Sequence, residues 1–323
     1  MRLPLFLQDS QFFLFSSVEE LVAALGDSVA VVDKEEVVRL AELGLPPVCT
    51  REVLATMLGI NPGLLWSFEY RPDKHYRIFR IPKGARGERE IVAPRVALKI
   101  LQKWLSVLMQ RHYAAPDHVF GFVSGRSHLE AAKVHRMAHW TFSVDIANFF
   151  PSTPAHVVAE AFESIGFGAE SAEMLARLTC YRGFLAQGAP TSPVMSNIAL
   201  RAVDEKLSDI SRRFGARLSR YADDIVFSGV EDFPEGLRAE VADLMTDTPW
   251  ELSTEKTEFN QLPGRLKVHG VLVHGPQIRL TKGYRNKLRA YTHLSKRGRI
   301  RQDDLLRVAG HIRYGMQVEE VAD

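Results

Sequence analysis

Cysteine is nearly absent: Cys49 and Cys180 are the only two in 323 residues. Two distant thiols exclude a disulfide scaffold and a cysteine-rich zinc site, and they suit a reducing, cytoplasmic setting. No apolar run approaches the roughly 20 residues that a membrane helix needs, so no membrane partner is expected. The apolar start, MRLPLFLQDSQFFLF, is broken by Asp9, and nothing like a cleavage site follows it. It reads as core-facing rather than as a signal peptide. Internal repeats and low-complexity tracts are missing too, which leaves out repeat architectures. What is present is 46% apolar and 25% charged, an ordinary globular composition that argues against wholesale disorder. The length suits about two average domains or one large composite one.

The net charge of +2 hides an asymmetry. Residues 1–50 carry three basic side chains (Arg2, Lys34, Arg39) against eight acidic ones. Residues 279–301 hold nine Lys or Arg and no Asp or Glu. Localised positive charge of this kind points to a polyanion, nucleic acid being the commonest, although a solvated helix face reads the same way.

Local signals alternate between helix and strand. Segment 17–26 reads as a helix with a Ser17/Glu20 capping box and Gly26 as its stop. Segment 50–60 reads as another, ended by Asn61-Pro62-Gly63. Segment 75–93 reads as a β-hairpin around a Lys83–Gly87 turn. Pro94 then opens a helix with Val96, Ile100, Leu101, Trp104, Leu105, Leu108 and Met109 on one face. Segment 140–146 reads as a buried strand, and 193–210 as a helix capped by Ser192. Segments 217–228 and 266–280 read as hairpins, the second turning at Gly275-Pro276, and 281–323 as basic and mostly helical. Strands and helices mix without a βαβ rhythm, which favours α+β over a doubly wound sheet.

The chemistry gathers around Tyr221-Ala222-Asp223-Asp224. Adjacent carboxylates at a hairpin tip repel each other, and a turn needs only one Asp or Asn. A divalent cation removes the repulsion, and hard oxygen ligands suit Mg²⁺. Such pairs also occur on ordinary surfaces. Asp145 ends the apolar run Phe142-Ser143-Val144, where a carboxylate is either a ligand or a cap. Two strands that each present a carboxylate at one sheet edge can hold two metal ions ~3.5–4 Å apart. Gln187-Gly188-Ala189-Pro190-Thr191-Ser192-Pro193 supplies a close-approach glycine and a helix start.

A strand aspartate, then QGAPTSP, then YADD, in that order, resembles the palm of a reverse transcriptase over roughly residues 75–300. The resemblance implies a right-hand polymerase: an N-terminal helical extension over 1–63, fingers over 64–140 with part of 152–186, palm over 141–275 and thumb over 276–323. It implies Asp145, Asp223 and Asp224 as ligands of two Mg²⁺, and Phe150 as the steric gate that selects dNTPs. Phe149 is adjacent, and only one of the two rings can point into a site. Gln187 matches the glutamine lining the nucleotide pocket, and Lys83 and Arg89 the fingers residues that grip the triphosphate, with Arg86 nearby. Lys256 matches a palm lysine able to protonate or neutralise pyrophosphate, and a surface lysine is the other reading.

Within that family the pattern is similar to bacterial retron enzymes. With only residues 281–323 after the second hairpin, no RNase H, integrase, maturase or endonuclease domain is expected. The NAxxH hallmark stands here as Ala131-Ala132-Lys133-Val134-His135, and VTG as Val268-His269-Gly270, each with one departure. The retron resemblance implies a structured non-coding RNA as template and primer, an RNA-linked single-stranded DNA (msDNA) product, and a separate effector protein in antiphage defence. His135, Lys282, Tyr284, Arg285, Lys287, Arg289, Lys296, Arg297, Arg299 and Arg301 become candidate RNA contacts, Tyr284 and Tyr291 by stacking on unpaired bases, while His135 reads equally as a satisfied structural histidine. A relative making untemplated or protein-primed DNA, and an inactive RNA scaffold, are the competing readings.

Overall fold

The computed structural model describes residues 3–82 and 87–322. Lys83 and Arg86 lie outside the described residues. In chain order the strands are β1 (Tyr76–Pro82), β2 (Glu88–Pro94), β3 (Trp140–Asp145), β4 (Cys180–Tyr181), β5 (Phe184–Leu185), β6 (Arg217–Tyr221), β7 (Asp224–Gly229), β8 (Glu258–Gln261), β9 (Lys267–Val268), β10 (Val271–Leu272) and β11 (Arg279–Leu280). The protein is α+β and divides into two compact units.

The first unit comprises residues 1–115 and 148–202 and is mostly helical. Its core gathers Leu54, Trp104, Leu105, Phe162, Leu175 and Val194. Residues 1–63 share that core through Leu21, Val37 and Met57. The helix signals hold at Ser17, whose hydroxyl accepts from the Glu20 amide, and at Thr50, which caps Arg51–Leu58. Gly59 then ends that helix at φ +65°, a conformation glycine adopts without a Cβ penalty. Asn61-Pro62-Gly63 is a start rather than a stop: Asn61 caps a further helix, Pro62–Tyr70. Pro94 also departs from expectation. It closes β2 opposite Tyr76, and the helix begins at Val96. The 193–210 helix is in fact two, Ser192–Ala199 and Arg201–Arg213. Ser192 does not cap the first; its hydroxyl donates to the Ala186 carbonyl at 2.7 Å.

The second unit comprises residues 116–147 and 203–323. Its main sheet is antiparallel, in the order β6-β7-β3-β8. β3 lies inside the sheet, so its apolar run is buried on both faces, with Phe142 opposite Phe227 and Phe259. Edge strand β8 carries little apolar periodicity (Glu-Phe-Asn-Gln), and the sequence reading overlooked it. A smaller sheet runs β11-β10-β9. The expected turn at Gly275-Pro276 falls midway between the paired β10 and β11, and β9 joins β10 through a second, tighter turn, His269-Gly270, at φ +48° and +89°. Positive φ at both central residues is what a two-residue hairpin with matching twist requires. Helices Lys282–Lys296 and Leu305–Ala322 complete the unit. No described helix is long and apolar enough to cross a membrane.

Candidate active site

Antiparallel pairing of β3 with β7 sets Asp145 directly opposite Asp224. Residues in that relation share one face of the sheet, with Cβ atoms about 4.5–5.5 Å apart. The β6–β7 turn between Tyr221 and Asp224 presents Asp223, whose carbonyl accepts from the Ile146 amide at 2.9 Å. The acid that ends β3 and the adjacent pair of the β6–β7 turn thus meet at one sheet edge. Burial first, then the Asp145 carboxylate, pushes the Asp223 carboxyl above its ordinary range, and Asp224 adds to the shift. A hydrophobic strand and a tight turn would not gather acids for stability.

Two basic side chains lie against these acids. The Ser253 amide donates to the Asp145 carbonyl at 2.8 Å, which holds the Thr254–Lys256 turn beside the strand end. Lys256 Nζ there forms an ion pair with Asp145 Oδ1. His269 Nδ1 lies 3.2 Å from Asp224 Oδ2, and its ring tilts against Tyr221 at 5.4 Å. Asp145 and Asp224 are therefore each turned to a basic side chain, and among the described residues no three acid, His or Cys side chains form a ready-made metal cage. The donor set is nonetheless all carboxylate oxygen, close-spaced and short of positive charge at Asp223. That chemistry fits a hard divalent ion such as Mg²⁺.

His135 is a correction. It is fully buried, with Nδ1 2.7 Å from the Ser228 hydroxyl and Nε2 2.7 Å from that of Ser219. One imidazole nitrogen donates and the other accepts, so His135 joins β6 to β7 and has no surface to offer RNA. Burial, helped by His269 and Arg217, pushes its pKa down to about 3. The folded chain therefore refuses a proton that the unfolded chain accepts below about 6.5. Stability is expected to be intact above pH 6.5 and to fall as pH drops towards 3, with a slope approaching about 1.4 kcal/mol per pH unit. Denaturant titrations between pH 7 and 4 check this, and His135→Gln should flatten the slope.

In the first unit, the Val92 amide of β2 donates to the Gln187 carbonyl at 2.9 Å, tying the QG segment to the hairpin. Gly188 makes this approach possible: at φ +134°, a Cβ there would lie 2.9 Å from Ile91 and 3.1 Å from the Val92 carbonyl. Arg89 is exposed on β2 opposite Ile81. Phe150 is half-buried, packed on the unit's core and stacked on the buried Phe149 ring at 5.4 Å.

The basic candidates fall on and after the Lys282–Lys296 helix. Lys282, Arg285, Lys287, Arg289, Lys296, Arg297, Arg299 and Arg301 are all exposed. Arg285, Arg289 and Lys296 share one side of the helix and line an open groove of about 820 Å³ with His293. Tyr284 is a correction. Its hydroxyl is 2.7 Å from His311 Nδ1 and its ring meets Tyr314 edge-on at 5.7 Å, so it packs helix to helix instead of offering a stacking face. Tyr291 similarly leans on His311 at 5.4 Å.

The family described as reverse transcriptase (RNA-dependent DNA polymerase) matches residues 81–278. The chain is 33% identical over 282 residues to the retron Mx65 reverse transcriptase of Myxococcus xanthus, covering 80% of this chain and 66% of that one. It is 29% identical over 316 residues to the retron Mx162 reverse transcriptase of the same organism, covering 85% and 64%. To the retron Ec86 reverse transcriptase of Escherichia coli it is 26% identical over 260 residues, covering 79% and 81%. The chain thus spans a little under two thirds of the length of the two Myxococcus proteins. Among solved structures, a Candida albicans telomerase gives a TM-score of 0.47 at 10% identity, covering 68% of this chain and 50% of that one.

Proposed function

The chain belongs to the reverse transcriptase family and is of retron type, and from that premise we propose that it synthesises DNA on an RNA template by nucleotidyl transfer at Asp145, Asp223 and Asp224. The observation that carries the proposal is the pairing of Asp145 with Asp224 across β3 and β7, with Asp223 in the adjoining turn. Magnesium held by these carboxylates would activate the attacking 3′-hydroxyl and offset charge on the departing pyrophosphate. Lys256, already at Asp145, is assigned to neutralising that pyrophosphate. The remaining assignments follow the family's sequence pattern: Lys83 and Arg89 to the triphosphate, Gln187 to the nucleotide pocket and Phe150 to the sugar. In the same reading 64–140 with part of 152–186 forms the fingers, 141–275 the palm and 276–323 the thumb.

Extension of a primed RNA template with dNTPs and Mg²⁺ tests the activity; no extension by the wild-type chain overturns it. Phe150→Ala is expected to raise ribonucleotide use relative to dNTPs by about 10- to 100-fold, because exclusion of a 2′-hydroxyl by a ring is a clash that truncation removes. Single-nucleotide incorporation kinetics with matched dNTP and rNTP measure it. An unchanged ratio moves the gate elsewhere, to Phe149 first.

The finer reading is a retron one. A cognate folded RNA is primer and template, synthesis starts from a 2′-hydroxyl, and the RNA-linked DNA serves antiphage defence with a separate effector protein. The exposed basic stretch with no acid between 279 and 301 supports an RNA partner. Sequencing the nucleic acid that copurifies tests this: an RNA–DNA chimera of defined sequence is expected, whereas untemplated DNA favours the other defence-associated class.

A further inference from the structure

Behind the Tyr221–Asp224 turn lies a segment to which none of the roles above is assigned. Residues 118–121 run along β6 as a parallel strap. The Arg220 amide donates to the His118 carbonyl at 2.7 Å, the Phe120 amide donates to the Arg220 carbonyl at 2.8 Å, and Val119 bridges Arg220. At the end of the strap Gly121 meets the turn's backbone. A Cβ on Gly121 would sit 2.1 Å from the Ala222 nitrogen and 2.8 Å from the Tyr221 carbonyl carbon. Both neighbours are main chain, so no side-chain rotation could relieve the clash.

The Arg220 side chain grips the same turn from within. It is fully buried and forms a two-pronged pair with the fully buried Asp204, Nε to Oδ1 and Nη2 to Oδ2, both at 2.6 Å. Its remaining arm, Nη1, donates to the Ala222 carbonyl at 3.0 Å. Ala222 directly precedes Asp223 and stands at φ +60°, a left-handed conformation that a non-glycine residue keeps only when its surroundings impose it. A buried ion pair is a poor stabiliser, since apolar residues of like volume do as well or better, and its attested use is to fix geometry. Here the fixed object is the carbonyl next to a catalytic acid.

We infer that Gly121 and the Arg220–Asp204 pair are positioning residues, which hold the Ala222 peptide in its left-handed conformation and so set where Asp223 stands relative to Asp145. The inference rests on the polymerase reading above, and it concerns placement alone: Arg220 and Gly121 are both buried behind the turn.

The test compares Gly121→Ala and Arg220→Lys with the wild-type chain and with Gly310→Ala, a helix-surface control whose added Cβ meets nothing within 4 Å. Lysine keeps the charge but cannot make the two-pronged pair and the Ala222 bond together. Expected for Gly121→Ala and Arg220→Lys is a kcat for single-nucleotide addition lowered about 100-fold, the cost of a displacement near 1 Å, with dNTP KM within about threefold and RNA affinity unchanged. Amide hydrogen exchange of a peptide covering 217–229 should quicken in both, read without substrate. Wild-type kinetics or unaltered exchange in Gly121→Ala overturns the inference while leaving the polymerase reading in place. So does a parallel fall of kcat, KM, RNA affinity and melting temperature in both variants, since that pattern marks a merely structural role. An inactive wild-type chain removes the polymerase reading, and the inference with it.

Discussion

Asp223→Asn is expected to lower DNA synthesis by about 1,000-fold or more while leaving the chain as stable as wild type, or more so. Asparagine preserves volume and hydrogen-bonding atoms but removes the negative charge that a divalent ion requires. The stability half follows from the same electrostatics. Burial and the neighbouring Asp145 raise the Asp223 carboxyl above its ordinary range, so its charged form works against folding at neutral pH. Neutralising it removes that cost. A residue whose loss abolishes activity and does not lower the melting temperature is kept for chemistry. Primer-extension rates beside a thermal melt decide the matter. Retained activity would refute the site assignment, and a large drop in melting temperature would mean that Asp223 is structural.

Replacing Arg285, Arg289 and Lys296 together with Gln should weaken RNA binding about 100-fold at low salt and make its salt dependence shallower by about 2 log units per decade. The three side chains share one side of an exposed helix and line the same groove. Each phosphate neutralised releases a bound counterion, so the slope counts phosphate contacts and separates true contacts from charge that merely faces water. Lys287 makes an internal comparison. It sits over the Tyr284 and Tyr291 rings at 5.9 and 5.4 Å, engaged with the helix pair. Lys287→Gln is expected to change the slope less than any one of the other three. Filter-binding titrations across salt concentrations measure both. An unchanged slope in the triple variant would assign the groove to another ligand.

Wherever one short pattern carried a strong local cause, it was legible without coordinates. Segment 140–146 reads as a buried strand and forms one over Trp140–Asp145, while the role of the acid at its end, ligand or cap, stayed open in the sequence. Ser17 caps the helix expected of it, and the helix expected over 50–60 forms as Arg51–Leu58. The order of aspartate strand, QG segment and YADD was enough to suggest the family. Asn61-Pro62 was misread because a proline after a capping residue ends one element and opens the next with the same letters. Pro94 was misplaced for a kindred reason: at a strand's last residue its missing amide costs no ladder bond.

The amino-acid sequence by itself determined which acids are available, where positive charge accumulates and which runs must be buried, because these depend on side-chain chemistry and local period. Tertiary structure alone decided what each polar residue faces. His135 proved to be a bolt between two strands, Tyr284 a helix-packing ring, and Arg220 a buried grip on the turn beside Asp223. No spacing rule distinguishes those environments from solvent or RNA. Their partners, Ser219 and Ser228, His311, and Asp204, are brought to them only by the long-range pairing of strands and packing of helices.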